Sequence, residues 1–486
     1  MQLSIGALTK QTSIYGFFQL LQRALSFVVI PIYTHYLTPD QFGTLDILYL
    51  IVWFIGIIGG SKLEAAFLRY FAEAKRDDTV SQLLSSSVLA LIIFATSFCT
   101  IAGLCAKPIL NFMFSGKDLP LTGFYLALGA TWMEIIGSLP LAFLKVRQEA
   151  IVVGVISLLQ AICGTVVGAI CVIVFGMGFV GILVGILVSG MVLVVLSYCI
   201  MLRRISLIFD FSYGTKLYRY SLPMLAAPLF MYLLNYSDRY FLVKYRSLEE
   251  VGIYAMAYKF AMLLNLGVMA PFADMWGANQ FALHEAKQKQ TYQRIALLYV
   301  SVLCLVALGI IYFSYDLTVF AFDKKFHGLI VAVPALTVGI AIWGIVPTLD
   351  FGCQITNKTW IRSITTGIAA LSNILFNWLL IPPYGIVGAA FATLFSFVFL
   401  FWITHIFNRK LTDYRVDTSK AIILCIALAG FATLIYLQPY LSYLVFTLCR
   451  LVAIAAFGYL LLYVNEIRIR DLQKLAANWI QKKSIT

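Results

Sequence analysis

The chain has 486 residues, of which 62% are hydrophobic and only 12% are charged. A soluble chain carries roughly 25% charged residues, so this composition excludes a soluble globular protein and indicates a polytopic membrane protein. The formal net charge of +13 does not indicate nucleic-acid binding, because the basic residues lie between hydrophobic segments and do not cluster on one soluble surface.

The first hydrophobic segment, residues 13–36, is long enough to cross a bilayer, since about 20 apolar residues suffice. Arg23 lies near its middle, where an arginine costs about 2.5 to 3.5 kcal/mol on insertion scales. Gln19, Arg23 and Ser26 share one helix face, and we interpret this face as the wall of an aqueous cavity. The alternative is that Arg23 reaches an interface or pairs with a carboxylate of a neighbouring helix.

Hydrophobic segments bounded by glycine, proline or charged residues predict fourteen membrane-spanning helices. An even number places both termini on one side. Of the Lys and Arg residues, 24 lie in or beside the loops on that side and six lie in the opposite loops, so both termini are predicted to be cytoplasmic. The predicted spans are 13–36, 43–70, 82–106, 119–144, 150–174, 179–202, 217–243, 252–281, 292–315, 328–350, 360–381, 385–407, 419–438 and 442–464.

Two sequence matches indicate an internal repeat. Tyr36–Gly43 matches Tyr245–Gly252 at an offset of 209, and Gly178–Gly181 matches Gly385–Gly388 at an offset of 207. Six spans separate the copies, which predicts two six-helix bundles related by a pseudo-two-fold axis along the membrane normal. The predicted parts are a first bundle (1–205), a second bundle (206–412), two additional helices (413–466) and a basic amphipathic cytoplasmic tail (467–486).

Four segments resemble the polysaccharide transporter family, the Wzx-type flippases of oligosaccharide and O-antigen repeat units: Leu37–Gly43, Ser221–Pro223, Asp238–Leu242 and Gly252–Ala261. The family belongs to the multidrug/oligosaccharidyl-lipid/polysaccharide exporter superfamily, which also holds multidrug extruders and lipid II flippases. The resemblance implies a protein of the bacterial cytoplasmic membrane. It would move undecaprenyl-pyrophosphate-linked repeat units from the inner to the outer leaflet for surface polysaccharide assembly.

In the lipid II branch of this superfamily, cationic side chains on the first and eighth helices line the cavity. Arg23 and Lys259 lie on the corresponding spans. The resemblance also implies a groove for the lipid tail in the last two spans, where Arg450 is unusual.

Cationic groups suit this substrate, because a pyrophosphate that leaves water needs compensation and arginine can hold phosphate oxygens bidentately. Lys259 could instead extend to an interface, and Tyr254, Tyr258 and Asn265 form a stripe that packing would also explain. Asp238 and Arg239 are adjacent, so we expect their side chains to point apart and to pair elsewhere in a structural contact. The candidate substrate-binding residues are Arg23, Gln19, Lys259, Tyr258, Asn265 and Arg239.

Intramembrane carboxylates are candidate proton or sodium sites. Glu134 is the strongest candidate, because Trp132, Met133, Ile135 and Ile136 give it apolar neighbours and burial would raise its pKa. Each carboxylate could equally neutralise Arg23 or Lys259. The remaining coupling candidates are Asp46, Asp238, Asp274 and Asp350, and the intramembrane prolines that predict kinks are Pro223, Pro228, Pro271 and Pro347.

The sequence predicts no metal site and no cofactor, since the nine cysteines are scattered and the four histidines lie far apart. A cation-coupled multidrug extruder and a lipid II flippase are alternative functions. A membrane polysaccharide polymerase or glycosyltransferase is a further alternative, but no catalytic constellation is present in the short outer loops, so we expect a non-enzyme. Expected partners are the lipid-linked oligosaccharide and membrane lipids, with polymerase and chain-length proteins as candidates. We expect a monomer.

Arg23 gives the first testable prediction. We expect Arg23→Ala to abolish surface polysaccharide while membrane insertion stays normal, and Arg23→Lys to keep part of the function, because charge survives without the planar fork. Surface polysaccharide staining and membrane immunoblotting measure the two effects. Full activity of the alanine variant would contradict the substrate role.

Overall fold

The computed structural model of the chain describes residues 16, 18, 21, 22, 25, 28–116, 119–206, 208–358 and 360–466. Within these residues the regular structure is helical throughout, and 11 helices are long and apolar enough to cross a membrane. The predicted all-α polytopic membrane class is confirmed. Packing divides the chain into two compact units, Met1–Gly252 and Ile253–Thr486. The four-part division of the chain remains a prediction, and its tail, 467–486, lies outside the described residues.

The first unit is built around α2, α6 and α8, which pack on one another, while α7 packs mainly on α8. Its helices are α1 (28–36), α2 (Pro39–Gly60), α3 (Leu63–Arg76), α4 (Val80–Leu104), α5 (Ala106–Phe114), α6 (Leu121–Val146), α7 (Ala150–Ile173), α8 (Phe179–Leu202), α9 (Phe211–Ser221), a 3₁₀ turn (Leu222–Leu225) and α10 (Ala226–Tyr245).

The core of the second unit is α14, which packs on α13, α16 and α17 and buries every residue except Trp343. The helices that follow α10 are α11 (Leu248–Leu264), a π turn (Asn265–Met269), α12 (Ala270–Glu285), α13 (Lys289–Ala321), a 3₁₀ helix (Lys324–Val331), α14 (Val333–Ile345), a 3₁₀ turn (Val346–Thr348), α15 (Phe351–Ile355), α16 (Trp360–Asn408), α17 (Thr418–Ala432), a 3₁₀ helix (Thr433–Tyr440) and α18 (Tyr443–Val464).

The difference between fourteen predicted spans and 11 observed ones has local causes. The predicted spans 360–381 and 385–407 are the two legs of α16, which is interrupted only at Gly385. The predicted span 217–243 is divided between α9 and α10 by the 3₁₀ turn. The predicted span 13–36 is described only in part.

The first repeat match forms equivalent helix starts. Thr38 caps α2, where its hydroxyl accepts a hydrogen bond from the Gln41 N–H at 3.4 Å and the Gln41 side chain accepts one from the Thr38 N–H at 3.4 Å. Ser247 caps α11 in the same way, accepting from the Glu250 N–H at 3.1 Å. The matched residues therefore satisfy N–H groups that every helix leaves open at its start.

The second repeat match forms equivalent helix connections. Gly178 precedes α8 with φ 58° and ψ −142°, and Gly385 joins the two legs of α16 with φ 54° and ψ −130°. This backbone region is open essentially to glycine alone. The two copies therefore share a backbone conformation as well as a sequence motif.

The matched glycines Gly43 and Gly252 lie against each other within the first unit. A Cβ atom on Gly43 would lie 2.0 Å from the Leu248 carbonyl oxygen, and one on Gly252 would lie 1.9 Å from the Pro39 carbonyl oxygen. Pro39 and Leu248 are themselves equivalent at the offset of 209. The contact is therefore reciprocal between the two copies, and it requires the absence of a side chain on both helices.

Three of the four predicted proline kinks coincide with breaks in regular α-helix. Pro223 lies in the 3₁₀ turn between α9 and α10, and Pro347 lies in the turn after α14. Pro271 follows the π turn at the start of α12. Pro228 does not break its helix, because it lies in the first turn of α10, where its missing N–H is not needed.

The reciprocal glycine contact yields a stability prediction. We expect Gly43→Ala to lower the free energy of unfolding by about 1 to 3 kcal/mol, because the added methyl group overlaps the Leu248 carbonyl and the helices must move apart. Thermal unfolding in detergent measures the change.

The matched control is Gly309→Ala in α13, where nothing lies within 4 Å of an added Cβ. Because alanine favours a helix over glycine by about 1 kcal/mol, this variant should be as stable as the wild type or more so. A Gly43→Ala protein that is equally stabilised would contradict the close contact.

Candidate functional site

The first unit contains a cavity of about 500 Å³ between α2, α6 and α8. One face of α2 forms a wall through Tyr49, Trp53, Gly56 and Gly60, which follow one another at helical spacing. The glycines leave room beside the aromatic rings. The polar side chains of the lining are Tyr49, Lys62, Glu64, Thr131, Glu134 and Ser138.

Glu134 projects into this cavity from the middle of α6 and is exposed there. Its neighbour Trp132 turns to α4 and donates a hydrogen bond to the Thr96 hydroxyl at 2.9 Å, while Ile135 and Ile136 are buried in the bundle. Of the apolar neighbours predicted from sequence, Trp132 therefore turns away from the carboxylate, while Ile135 is buried but still lines the same cavity. Glu134 itself faces an open space and not the protein core.

The connection between α2 and α3 forms one end of the cavity. Ser61 and Lys62 have positive φ angles of 49° and 54°, which is unusual for consecutive residues other than glycine. This turn places the Lys62 side chain on the cavity. Glu64 follows, and its carboxylate lies 3.8 Å from Lys145. In the part of the chain that the structure describes, the cavity lining thus combines two carboxylates with one ammonium group.

A buried ion cluster holds α10 against α2. The Arg239 guanidinium donates hydrogen bonds at 2.8 Å to the Asp238 carboxylate and to the Asn235 carbonyl, and it lies 3.4 Å from Asp46 on α2. Arg239 and Asp238 are only 2% and 1% exposed. Burying these charges is tolerable because each one finds an opposite charge and further hydrogen bonds.

The prediction that Asp238 and Arg239 would point apart is wrong for this pair. The Asp238 carboxylate turns back to accept from the Arg239 backbone N–H at 2.8 Å, and the long Arg239 side chain folds back along the helix to meet it. The predicted contact between helices is nevertheless present, through Asp46.

Aromatic side chains connect the ion cluster to the cavity. The Arg239 guanidinium lies 5.1 Å from the centre of the Tyr236 ring, and Tyr236 contacts Trp53 with ring centres 4.9 Å apart. Tyr232 contacts both Trp53 and Phe54, and its hydroxyl donates to the Leu50 carbonyl at 2.8 Å. These four rings, Trp53, Phe54, Tyr232 and Tyr236, form an aromatic wall along one side of α2.

The candidates of the second unit lie in different surroundings. Tyr254 and Tyr258 are 0% and 5% exposed, and the Tyr254 hydroxyl lies 3.3 Å from that of Thr393. Packing accounts for both tyrosines. Lys259 is half-buried on α11, and Asn265 begins the π turn.

The predicted carboxylates of the second unit differ from each other. Asp350 is 2% exposed and lies 3.4 Å from Arg362, so it has an ion-pair partner. Asp274 is exposed on α12. The structure brings together Asp46, Asp238 and Arg239. Gln19 and Arg23 lie outside the described residues.

Arg450, which is unusual for a groove that binds a lipid tail, has a structural contact. It donates to the Asp316 carboxylate at 2.8 Å and to the Tyr312 carbonyl at 3.1 Å, both on α13. The Phe446 ring covers it at 4.7 Å. The ion pair attaches α18 to α13.

Several cavity residues were missed by sequence reasoning, although a signal for some of them was present. The series Tyr49, Trp53, Gly56, Gly60 has steps of four, three and four residues, which marks one face of a helix. Thr131 and Ser138 flank Glu134 at similar spacing. A stripe of this kind also occurs where a helix simply packs on its neighbour. The two cases differ only in whether open space lies next to the stripe, which the sequence does not reveal.

An all-helical bundle of membrane-spanning length with a cavity among its helices defines a polytopic membrane protein. The sequence profile of the polysaccharide biosynthesis protein family matches residues 8–275, more than half of the chain. The chain belongs to this family, and the resemblance to polysaccharide transporters is confirmed.

Two proteins in particular show sequence similarity. The succinoglycan biosynthesis transport protein ExoT of Rhizobium meliloti (strain 1021) is 24% identical over 254 residues, which are 51% of this chain and 48% of that protein. An uncharacterized membrane protein of Methanocaldococcus jannaschii is 24% identical over 268 residues, 51% of each chain. The chain therefore spans about half the length of the curated relatives it matches.

Solved structures show the same fold. The lipid II flippase MurJ in an inward closed conformation has a TM-score of 0.66 at 14% identity, over 96% of this chain and 100% of that one. An inward-facing multidrug resistance transporter of the MATE family has a TM-score of 0.67 at 15% identity, over 82% and 94%. At this identity the likeness concerns the fold alone.

The ion cluster yields a stability prediction. We expect Arg239→Leu to lower the free energy of unfolding by about 3 to 5 kcal/mol, because Asp238 then stays buried without its cation. The control is Arg246→Leu, whose pair with Glu250 is partly exposed and should contribute at most about 1 kcal/mol. Thermal unfolding in detergent compares them, and equal losses would contradict the special role of the buried cluster.

Proposed function

We propose that the protein moves undecaprenyl-pyrophosphate-linked oligosaccharide repeat units from the inner to the outer leaflet of the bacterial cytoplasmic membrane. The observation that carries the proposal is the polar, aromatic-lined cavity inside a membrane-spanning bundle of a polysaccharide biosynthesis protein. Sugars need hydrogen-bonding partners wherever they leave water. A protein that only anchored other components would not need such a space within its spans.

The cavity residues suit the sugar part of the substrate. Thr131 and Ser138 present hydroxyl groups, and Glu134 presents two acceptor oxygens. The Trp53 and Tyr49 rings offer amphipathic surfaces for the less polar faces of sugar rings. Together these groups can replace part of the water that a repeat unit loses.

The pyrophosphate requires cationic groups, and Arg23 and Lys259 are the proposed ones. Arg239 is a poor candidate, because its guanidinium already contacts two carboxylates and a carbonyl. We therefore assign Arg239 to the attachment of α10 and not to the substrate. The membrane potential favours outward movement of the anion by roughly 2.3 kcal/mol per charge per 100 mV.

Alternating access of the two repeats is the proposed mechanism. The reciprocal contact of Gly43 and Gly252 lies at the helix starts on the side opposite to the predicted cytoplasmic termini. An outward opening would separate these helix starts, and the glycines allow them to close fully again. The breaks at Pro223, Pro271 and Pro347 supply points at which the helices can bend.

Both termini are proposed to lie in the cytoplasm, and a monomer is proposed as the working unit. The polysaccharide polymerase and chain-length proteins are proposed partners. A transporter role is preferred to that of a polymerase or glycosyltransferase, since the matched transport protein and the structural neighbours named above are transporters or flippases.

A second candidate function is the export of small organic cations. Among the described residues, the cavity lining contains Glu64 and Glu134 but only Lys62 as a cation, and the Trp53 and Tyr49 rings can contact a cation through their faces. Vesicle assays separate the two functions. Saturable transport of tetraphenylphosphonium that depends on Glu134, without flipping of the lipid-linked repeat unit, would favour the cation exporter and contradict our proposal.

Energy coupling gives a further prediction. We propose that protonation of Glu134 drives return of the empty carrier, so Glu134→Gln should bind substrate but lose the dependence of flipping on an imposed pH gradient. Flipping in vesicles with a potential or a pH gradient, imposed separately, measures this. The control is Glu64→Gln, which lies on the same cavity beside Lys145 and should keep the dependence. Flipping that follows the potential alone in all three proteins would rule out Glu134.

A further inference from the structure

A second cavity of the first unit is lined almost entirely by apolar side chains. It has a volume of about 680 Å³ and lies between α2, α4, α5 and α10. Carbon atoms dominate its surface, which includes the side chains of Phe54, Ile101 and Phe112. Tyr232 also lines it, and the Tyr232 hydroxyl is already hydrogen-bonded to the Leu50 carbonyl at 2.8 Å. This apolar pocket offers nothing to a polar ligand.

Helix α5 shapes the pocket. Ala106, Leu110 and Phe114 are buried at 0 to 1% exposure and anchor the helix. Phe112 lies on another side, is 64% exposed and stacks on Tyr240 of α10 with ring centres 5.0 Å apart. The short helix is therefore apolar on two sides, and the second side faces space that the described residues do not fill.

The apolar pocket lies directly behind the polar cavity. On α2, Trp53 lines the polar cavity and the next residue, Phe54, lines the apolar pocket. Tyr232 contacts both rings, with centres 5.8 and 5.4 Å away. A single aromatic wall thus separates a space for polar groups from a space for hydrocarbon.

We propose that the apolar pocket binds part of the polyprenyl chain of the lipid-linked substrate while the sugar part occupies the polar cavity. The inference rests on the proposed function. An amphiphile with one polar end and one long hydrocarbon chain matches the two spaces and their separation by one wall. At about 30 Å³ per water-sized group, the pocket holds roughly twenty carbon groups, a fraction of a long polyprenyl chain.

The hydrophobic effect does not favour the pocket over the bilayer for the polyprenyl chain, because lipid tails already surround that chain with hydrocarbon. The proposed role of the pocket is instead to hold the polyprenyl chain beside the polar cavity. The head group that is attached to this chain then stays near the cavity, so its local concentration there rises. This location differs from the last two spans, which the family resemblance implies for the lipid tail.

Photo-crosslinking in the full-length protein tests the location. A benzoylphenylalanine placed at Phe112 should label radioactive undecaprenyl-pyrophosphate oligosaccharide several-fold more than one placed at Val195, which is exposed on α8 outside the pocket. Unlabelled substrate should compete, and excess phospholipid should not. Equal labelling at both positions, or labelling at Phe112 that phospholipid displaces, would overturn the proposal and identify an ordinary acyl chain as the occupant.

A pocket-filling variant tests the function of the site. Ala102 lines the pocket and is nearly buried, so Ala102→Leu should raise the half-saturating concentration of the long-chain substrate several-fold. It should leave transport of a ten-carbon analogue unchanged, which also shows that the variant folds. Equal effects on both substrates would contradict the tail site.

The outcomes also separate this inference from the proposed function. If the wild-type protein flips the lipid-linked repeat unit and Phe112 is not labelled selectively, only the tail site fails. If the wild-type protein flips no lipid-linked repeat unit in vesicles, the proposed function itself fails.

Discussion

The structure depends on one constraint, the absence of water from the hydrocarbon region of the bilayer. Each buried polar group there must find its partner within the protein. Helices provide hydrogen-bond partners for the backbone N–H and carbonyl groups, and where a helix is interrupted, nearby groups provide the partners. At the end of α2, for example, the buried Ser61 hydroxyl donates to the Ile58 carbonyl at 2.8 Å. The two legs of α16 are joined similarly, since Asn377 donates to Asn373 at 2.8 Å and Asn373 donates to Ser396 at 3.1 Å.

The same constraint distinguishes structural charges from candidate functional ones. Arg239 and Asp350 are buried, and each lies within ion-pair distance of a charge of opposite sign. Glu134, in the middle of α6, lies instead on a cavity, where water or a ligand can replace a protein partner. The environment of a carboxylate in that position changes when the cavity binds a ligand or opens. This contrast, more than the presence of a charge in a span, is the reason for proposing Glu134 as the coupling residue.

Much of the fold could be predicted from the sequence because its determinants are local. Span positions follow from runs of apolar residues, the caps at Thr38 and Ser247 follow from four-residue motifs, and the breaks follow from proline. The pairing of Asp238 with Arg239 could not be predicted, because it depends on side-chain rotamers and on Asp46, 193 residues away from Arg239. The cavity could not be predicted either, because Trp53 and Glu134 meet at one cavity only through the packing of α2 against α6.

The ion pair between Arg450 and Asp316 has a consequence for biogenesis. When the ribosome delivers α18, its arginine is unfavourable in lipid by about 2.5 to 3.5 kcal/mol on insertion scales. Its partner carboxylate, 134 residues earlier in the chain, is by then already in the membrane. Helix α18 can therefore enter the membrane already paired with α13, so that its integration depends on the correct placement of that earlier helix.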